Sequence, residues 1–250
     1  MTVPTGPDPR DRAKSFQHGA REYRKARPGY PREAVEWLTP GPGARVLDLA
    51  AGTGKLTETL VKLNGLDLVA VEPSDAMRAE LSDALPEVRA LPGTADAIPL
   101  PDGDRDGVVV AQAWHWFDPA TALPEIARVL RPGGRLGVVW NVRDHTVDWV
   151  EQFTEIIHRG DSLEPNHGPP ILDDHFADLE HRTFRWHQTI PANELRTLAA
   201  SRSHLLTLPV ETRDELLDAI DELIATHPDL VGNETLVLPY RTESWRARRV

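Results

Sequence analysis

A run of small residues between an apolar segment and a distant carboxylate carries most of the chemistry that this sequence suggests. Residues 46–49 read Val-Leu-Asp-Leu and favour a buried strand, and residues 50–54 read Ala-Ala-Gly-Thr-Gly, with almost no side-chain bulk. A ligand can approach the backbone of such a turn closely, and the helix that follows directs free N–H groups toward it. Glu72 closes the next apolar run, residues 68–71, and its carboxylate can accept hydrogen bonds from ribose hydroxyls.

Two nucleotide-binding patterns can be compared with this turn. A phosphate-binding P-loop requires glycine where Leu49 stands and serine or threonine where Leu56 stands, so that pattern is excluded. The dinucleotide fingerprint is matched at Gly52 and Gly54, but Thr57 occupies the place of its third glycine. Together with the carboxylate at the end of the next strand, the turn predicts a nucleoside cofactor rather than one that contains a pyrophosphate.

Four segments, in sequence order, resemble the motifs of class I S-adenosylmethionine-dependent methyltransferases. They are Asp-Leu-Ala-Ala-Gly-Thr-Gly at 48–54, Glu-Pro-Ser at 72–74, Gly-Thr-Ala-Asp-Ala-Ile-Pro at 93–99 and Leu-Arg-Pro-Gly-Gly at 130–134. One such motif alone is a weak signal, whereas four in the expected order are a strong one. The resemblance covers roughly residues 16 to 145.

Two further segments are similar to a narrower group within that class. Residues 23–31, Tyr-Arg-Lys-Ala-Arg-Pro-Gly-Tyr-Pro, and residues 113–118, Ala-Trp-His-Trp-Phe-Asp, resemble small-molecule methyltransferases of type 11, in particular the trans-aconitate methyltransferase-like group. The resemblance implies a Rossmann-like, three-layer α/β sandwich with helices on both faces of a mostly parallel sheet. That sheet would have seven strands in the order 3-2-1-4-5-7-6. The implied cofactor is S-adenosyl-L-methionine, which leaves S-adenosyl-L-homocysteine as product.

Hydrophobic periodicity predicts the elements that position these residues. Apolar runs predict strands at 46–49, 66–71, 88–91, 107–112 and 135–140, and helices are predicted at 31–38, 54–63, 74–85 and 119–130. Ser74 or Asp75 can cap the third helix, and Asp118 can cap the fourth. Alternating strands and helices predict a parallel sheet whose carboxyl ends meet at one edge. Five polar side chains lie at or just beyond these ends: Asp48, Glu72, Asp96, Gln112 and Asn141.

The second half of the chain is less regular. Helices are predicted at 147–159, 193–202 and 212–226, and strands at 183–190 and 236–246. The resemblance implies that these two strands pair antiparallel at the edge of the sheet. Residues 1–12 are predicted to be a disordered tail and 13–250 a single methyltransferase domain. Within it, 13–38 would form an N-terminal cap, 39–145 the cofactor-binding core, and 146–250 the lid helices and antiparallel edge strands.

The resemblance also implies a role for each cofactor contact. Asp48 and the backbone of the small-residue turn would face the methionine end, Glu72 would accept both ribose hydroxyls, and Asp96 would accept from the adenine amine. Arg27 could pair with the methionine carboxylate or with an acidic substrate, and Met77 could be core or cofactor wall. The implied cofactor-binding residues are Tyr23, Arg27, Asp48, Ala50, Ala51, Gly52, Thr53, Gly54, Glu72, Pro73, Met77, Asp96, Ala97 and Gln112.

His115 is the candidate catalytic residue, because it follows strand four and an imidazole titrates near neutrality. Its tryptophan neighbours leave a second interpretation open, in which the ring only stacks in an aromatic wall. A carboxylate nucleophile would need no base at all. Arg143 could bind an acidic substrate or simply be solvated. The candidate substrate-binding residues are Tyr30, Trp116, Asn141 and Arg143.

Composition limits the classes of partner. The net charge of −11 disfavours binding to nucleic acid or to an anionic membrane. The sequence contains no cysteine, which excludes disulfides and thiolate metal sites and fits a cytoplasmic protein. The ten histidines show no metal-ligand spacing, so no metal is expected. We expect a small-molecule substrate, no secretory signal and a monomer or homodimer.

Three other functions stay open at this stage. A methyltransferase of the same fold could act on RNA or protein, although the acidic net charge disfavours RNA. A protein with a degenerate substrate site could bind S-adenosylmethionine without catalysis. A nicotinamide-dependent oxidoreductase is disfavoured by Thr57 and by the lack of a second phosphate-binding turn.

Overall fold

The computed structural model describes Arg24 and residues 27–63, 65–161 and 168–250. The predicted tail, residues 1–12, and the predicted cofactor residue Tyr23 lie outside this part of the chain. The described residues form seven β-strands, eight α-helices and one short 3₁₀-helix. None of these helices is long and apolar enough to cross a membrane.

The strands form one sheet in the order β3-β2-β1-β4-β5-β7-β6, which confirms the predicted fold. The strands are β1 (Arg45–Leu49), β2 (Asp67–Val71), β3 (Arg89–Leu91), β4 (Arg105–Ala111), β5 (Leu130–Arg143), β6 (Phe176–Pro191) and β7 (Thr235–Arg249). The central strand β1 pairs in parallel on both sides, since Leu47 lies opposite Val69 of β2 and Val108 of β4. The carboxyl ends of β1, β2 and β4 therefore meet at one edge of the sheet.

The helices agree closely with the predicted ones, and both predicted caps form. Ser74 accepts a hydrogen bond from the Met77 amide, and Asp118 accepts one from the Ala120 amide. Asp118 precedes Pro119, which is favourable at the first position of a helix because it has no N–H to satisfy. The helices are α1 (Arg32–Leu38), α2 (Lys55–Val61), α3 (Asp75–Ala84), α4 (Pro119–Val129), α5 (Asp148–His158), α6 (Glu194–Ala200), α7 (Ser203–Thr207) and α8 (Val210–Thr226).

Strand β5 begins earlier than its apolar run predicts. Leu130 already pairs with Arg105, the following residues 131–134 bulge away, and pairing resumes between Arg135 and Gly107. A bulge of this kind interrupts the alternation of side chains, so periodicity alone misses the start of the strand.

The last two strands, Phe176–Pro191 and Thr235–Arg249, are also longer than predicted. Their added residues are largely polar, and these polar side chains pair across the two strands. Arg246 of β7 binds Glu180 of β6 with N–O distances of 2.9 and 3.0 Å, and Arg248 binds Asp178 at 2.8 Å. The partner of a later residue in β7 lies earlier in β6, as expected for antiparallel strands. The polar run 177–182 is therefore part of a strand that hydrophobic periodicity does not detect.

The described chain divides into two compact units, and each is described by itself. The first contains residues 28–142, 168–184 and 242–250, and it is called the glycine-turn unit below. The second contains Arg24, Arg27 and residues 143–161 and 185–241, and it is called the helical unit because α5 to α8 belong to it.

Alternate strand residues of the glycine-turn unit are buried on opposite faces of the sheet. Leu47 and Val108 belong to a cluster with Ile126 of α4, whereas Val46 and Val109 belong to another with α1 and α2. Both faces are covered, which explains why β1 and β4 read as nearly continuous apolar runs. The helical unit has its own core, made by apolar residues of its helices and strand segments. Its fully buried members include Val150, Phe153, Ile157, Leu195, Ala199, Leu205, Ile220 and Leu238.

Candidate functional site

The small-residue turn after β1 takes up a backbone conformation that few residues adopt. Ala50, Gly52 and Gly54 have positive φ angles of 58°, 56° and 83°. Glycine accepts this conformation without strain, whereas alanine at position 50 is an uncommon case. A Cβ atom added to Gly52 would lie 3.8 Å from Met77 Sδ, which places the predicted residue Met77 beside the turn. Thr53 and Gly54 are buried, whereas Ala50, Ala51 and Gly52 are partly exposed.

Glu72 fastens this turn to the turn after β2. Its Oε2 accepts a hydrogen bond from the Gly52 amide at 2.8 Å, and its Oε1 accepts one from the Ser74 amide, also at 2.8 Å. Burial raises the pKa of this carboxyl, while the two amides and Arg78 act in the opposite direction. A carboxylate offers about four acceptor positions, so two remain for a pair of hydroxyls. The sequence predicted the ribose role of Glu72 but not its bonds to the backbone.

Asp48 is buried next to Glu72 and is only partly satisfied. Its Oδ2 accepts from the Thr57 hydroxyl at 2.6 Å, and its Oδ1 has no hydrogen-bond partner among the described residues. Burial, assisted by the charge of Glu72, raises the pKa of Asp48 to about 7. A cationic amine of a ligand would satisfy Oδ1. Thr57 stands where the dinucleotide fingerprint has its third glycine, and its contact with Asp48 was not predicted.

The third predicted contact loop lies after β3, with Asp96 and Ala97 both exposed. In this structure the Ala97 amide donates to Thr94 O at 3.2 Å. Gly93 is required there, because an added Cβ would lie 2.6 Å from Pro99 Cδ. The exposed Pro73 lies in the neighbouring turn after β2.

An ion pair that sequence reasoning missed anchors this loop to α4. Glu125 Oε1 accepts from the Ile98 amide at 2.8 Å, and Arg128 donates to the carbonyls of Ile98 and Leu100 at 3.0 and 2.8 Å. Arg128 and Glu125 also bind each other at 2.7 Å. Residues far apart in the chain therefore fix the position of the loop that carries Asp96.

Gln112 and Asn141, at the ends of β4 and β5, form a hydrogen-bond chain. Gln112 has a positive φ of 56° and donates from Nε2 to the Asn141 carbonyl at 3.0 Å. The Asn141 side chain donates to Gly29 O at 2.8 Å and accepts from the Thr242 hydroxyl at 2.6 Å. Both polar atoms of the Asn141 amide thus hold neighbouring segments in place. Tyr30, the next residue after Gly29, packs against the core cluster of α1 and α2.

His115 lies in a 3₁₀-helix, Trp114–Trp116, that was not predicted. Its ring centroid is 4.3 Å from that of Trp116 and 5.2 Å from that of Trp140, whereas Trp114 packs inward against Phe117. His115 is solvent-exposed, yet the surrounding indoles desolvate its ring and lower its pKa to about 4. One side of the imidazole therefore packs against indoles while another faces solvent. We call the rings of His115, Trp116 and Trp140 the aromatic cluster.

Two of the predicted residues, Arg27 and Arg143, are in the helical unit. Arg27 donates to Ser201 O at 3.2 Å, and Arg143 donates from Nε to the Thr154 hydroxyl at 3.2 Å. Burial lowers the pKa of Arg143 to about 10. The structure thus brings together the residues predicted at the ends of β1, β2 and β4 within the glycine-turn unit and assigns the two arginines to the other unit.

Comparison with known proteins gives one family and several full-length relatives. Residues 47–138 match the family described as a methyltransferase domain. An uncharacterized methyltransferase of Mycobacterium tuberculosis is 48% identical over 238 residues, which cover 95% of this chain and 97% of that protein.

Two solved structures have a similar fold. One comes from Anaeromyxobacter dehalogenans, and its assignment as a type II methyltransferase is itself a proposal. It is 22% identical to this chain with a TM-score of 0.64, and the match covers 89% of this chain and 97% of that one. A Haemonchus contortus phosphoethanolamine N-methyltransferase, solved with phosphomonomethylethanolamine and S-adenosylhomocysteine, is 17% identical with a TM-score of 0.55. The match covers 99% of this chain and 60% of that chain.

Proposed function

The chain belongs to the class I S-adenosylmethionine-dependent methyltransferases, and we propose that it transfers the methyl group of this cofactor to a small-molecule acceptor. The observation that carries the proposal is the aromatic cluster that follows β4 in the glycine-turn unit. The exposed His115 ring and the half-buried Trp116 ring, with the buried Trp140 beside His115, offer an aromatic contact surface to a small molecule.

The described residues fit the cofactor on two independent observations. Asp48 Oδ1 is a buried carboxylate oxygen without a partner among the described residues, and it suits the ammonium group of the methionine moiety. Glu72 keeps two acceptor positions for the ribose hydroxyls while two amides hold it in place. We propose that Asp96 and Ala97 contact the adenine edge and that Pro73 and Met77 pack against its face.

When bound, S-adenosylmethionine supplies an electrophilic methyl group on a sulfonium, so the protein's task is mainly one of positioning. An acceptor atom held in line with the carbon–sulfur bond would take the methyl group and leave the electron pair on sulfur. A hydroxyl or amine acceptor would also have to lose its proton. Desolvation lowers the pKa of His115 to about 4, so the ring is neutral at pH 7 and can accept a hydrogen bond that orients the acceptor, although at this pKa it is a weak base.

The alternative acceptor is a macromolecule. A net charge of −11 opposes the approach of RNA. Among the described residues, we find no feature that favours a protein substrate. The Haemonchus neighbour shows that the fold accommodates a small-molecule acceptor, which is compatible with the proposal. A cytoplasmic location and a monomeric or homodimeric state stay predictions from the sequence.

A labelling experiment tests the proposal. The purified protein is incubated with S-adenosylmethionine that carries a labelled methyl group and with a cell extract, which is then separated by ultrafiltration into metabolites and macromolecules. We expect label in the metabolite fraction and none above background with Glu72→Ala. Label confined to the retained RNA or protein would overturn the small-molecule acceptor, and intact cofactor binding without any transfer would overturn catalysis.

A further inference from the structure

The loop after β3, residues 92–100, carries Asp96 in a tight turn. Thr94 and Ala97 form an antiparallel bridge around it, in which the Ala97 amide donates to Thr94 O at 3.2 Å. Asp96 is exposed, and its carboxylate accepts no hydrogen bond from the residues that the structure describes. The position of this carboxylate therefore depends on the backbone of the loop alone.

The peptide group that joins Ala97 to Ile98 is restrained on both of its sides. The Ile98 amide donates to Glu125 Oε1 at 2.8 Å, and Ala97 O faces Gly93, where an added Cβ atom would lie 3.2 Å away. The N–H and C=O of a trans peptide point in opposite directions, so these two contacts together fix the plane of the peptide. The backbone directly after Asp96 is thus held by a side chain of α4.

Arg128, one turn further along α4, holds the next part of the loop. It donates from Nη2 to Ile98 O at 3.0 Å and from Nη1 to Leu100 O at 2.8 Å. The side chains of Ile98 and Leu100 are buried, with 3% and 6% of their surface exposed. Residues 98–100 are therefore anchored through their backbone as well as through their side chains.

The ion pair between Glu125 and Arg128 is better suited to ordering this loop than to stabilising its own helix. Two N–O distances of 2.7 Å join the side chains, which are 18% and 32% exposed. An ion pair with this much exposure contributes only about 0–1 kcal/mol to stability. Its bonds to three backbone groups hold the loop in one conformation before a ligand arrives, and ordering a residue on binding costs about 1–2 kcal/mol.

We propose that Glu125 and Arg128 are positioning residues that place the Asp96 carboxylate for the adenine amine and so set the preference for adenine over a base without that amine. This inference rests on the proposed function, from which Asp96 is taken as an adenine contact. A carboxylate accepts a hydrogen bond from the amino group of adenine, and unsubstituted purine has no donor at the same place. A displaced carboxylate loses this hydrogen bond, because its strength depends steeply on distance and angle.

The test is a calorimetric titration of the full-length protein with two ligands, which requires no methyl acceptor. One is S-adenosylhomocysteine, and the other is its analogue with unsubstituted purine in place of adenine. Because the ribose and the amino acid are common to both, the ratio of the two affinities reports on the amine alone. We expect the wild type to prefer adenine by about 10- to 100-fold, the value typical of a hydrogen bond to a charged group.

Glu125→Ala should lower this preference to about 3-fold or less, because the Ile98 amide and Arg128 both lose their partner. Glu125→Gln keeps an amide oxygen that can accept from Ile98 and should retain most of the preference. Asp96→Ala should abolish the preference. The double variant of Asp96 and Glu125 should match Asp96→Ala, since Glu125 acts through Asp96 and the two effects are not additive.

Glu36→Ala is the matched control, because it removes a carboxylate from another helical ion pair, with Arg32 of α1 at 2.7 Å. It should keep the wild-type ratio of affinities. Arg128→Lys serves as a second variant if Glu125→Ala does not melt cooperatively. It keeps the positive charge, but its single nitrogen replaces a fork that spans two carbonyls, so the preference should fall about 3-fold.

Three results would overturn the inference. Glu125→Ala and Arg128→Lys keep the wild-type ratio of affinities, Asp96→Ala keeps the preference for adenine, or the wild type binds both ligands equally well. None of these results affects the proposed methyl transfer, which depends on the labelling experiment. Label found only in macromolecules would refute the small-molecule acceptor, and the affinity ratios would then still support the roles of Glu125 and Arg128.

Discussion

Asp48→Asn is expected to stabilise the protein near neutral pH, although it removes a predicted cofactor contact. Asp48 is 1% exposed, and burial together with the charge of Glu72 raises the pKa of its carboxyl from 3.8 to about 7. Between pH 3.8 and about pH 7 the folded protein therefore keeps a proton on Asp48 that the unfolded chain has released. The free energy of unfolding of the wild type falls as the pH rises through this range, whereas asparagine does not titrate and the variant lacks this loss.

The size of the effect follows from the width of the window. About three pKa units at roughly 1.4 kcal/mol each give an upper value of about 4 kcal/mol for the free energy that the wild type loses between pH 4 and pH 7. The asparagine keeps a carbonyl oxygen that can accept from the Thr57 hydroxyl, which lies 2.6 Å from Asp48 Oδ2 in the wild type. The bond to Thr57 is thus retained, and the difference between variant and wild type should grow with pH.

Denaturant unfolding at about pH 5, 6, 7 and 8 measures this difference directly. The free energy of unfolding of Asp48→Asn minus that of the wild type should rise up to pH 7 and then level off. Asp83→Asn, at an exposed position of α3, serves as the control and should show a constant difference. A constant difference for Asp48→Asn as well would show that this carboxyl is not held protonated by burial, and the reasoning would fail.

Other variants test the remaining contacts. Glu72→Gln places an amide NH₂ opposite a backbone N–H of Gly52 or Ser74, so it should cost about 1–3 kcal/mol of stability and weaken S-adenosylmethionine by about 10- to 100-fold in calorimetry. Glu87→Gln, on the exposed surface, should change neither quantity, and equal affinity of the two variants would contradict the role of Glu72. Gly52→Val forces a valine to a φ of 56° and should lower stability by about 1–3 kcal/mol and abolish cofactor binding, which thermal melting with and without cofactor reports. His115→Phe should leave the cofactor dissociation constant unchanged and lower kcat by about 10-fold, because a hydrogen bond that orients the acceptor is lost; an unchanged kcat would confine His115 to an aromatic wall.

The parts of the fold that the sequence predicts well are those that depend on local signals. Apolar runs such as 46–49 and 107–112 give the central strands, and Ser74 and Asp118 act as the caps that their side chains favour. The sheet order could be predicted only through the resemblance, because strand pairing is a long-range property. The strands that periodicity places poorly are β5, with its bulge, and β6, with its polar run.

The site shows the same division between local and long-range information. The spacing from Gly52 to Glu72 predicts their proximity, but not that the carboxylate accepts from the glycine's own amide. Asp48 pairs with Thr57, and Glu125 and Arg128 bind the backbone of the loop after β3, through tertiary contacts that no periodicity reports. One signal was available, since Thr57 departs from the dinucleotide fingerprint at the place where its hydroxyl is used.

The central claim is that the turn after β1 and the carboxylate that ends β2 together hold one sulfonium nucleoside. A crystal structure with S-adenosylhomocysteine bound tests it most directly. We expect both ribose hydroxyls within hydrogen-bond distance of the Glu72 carboxylate and the nucleoside lying along residues 50–54. A nucleoside bound elsewhere, or a Glu72 side chain turned away from the ribose, would contradict the account.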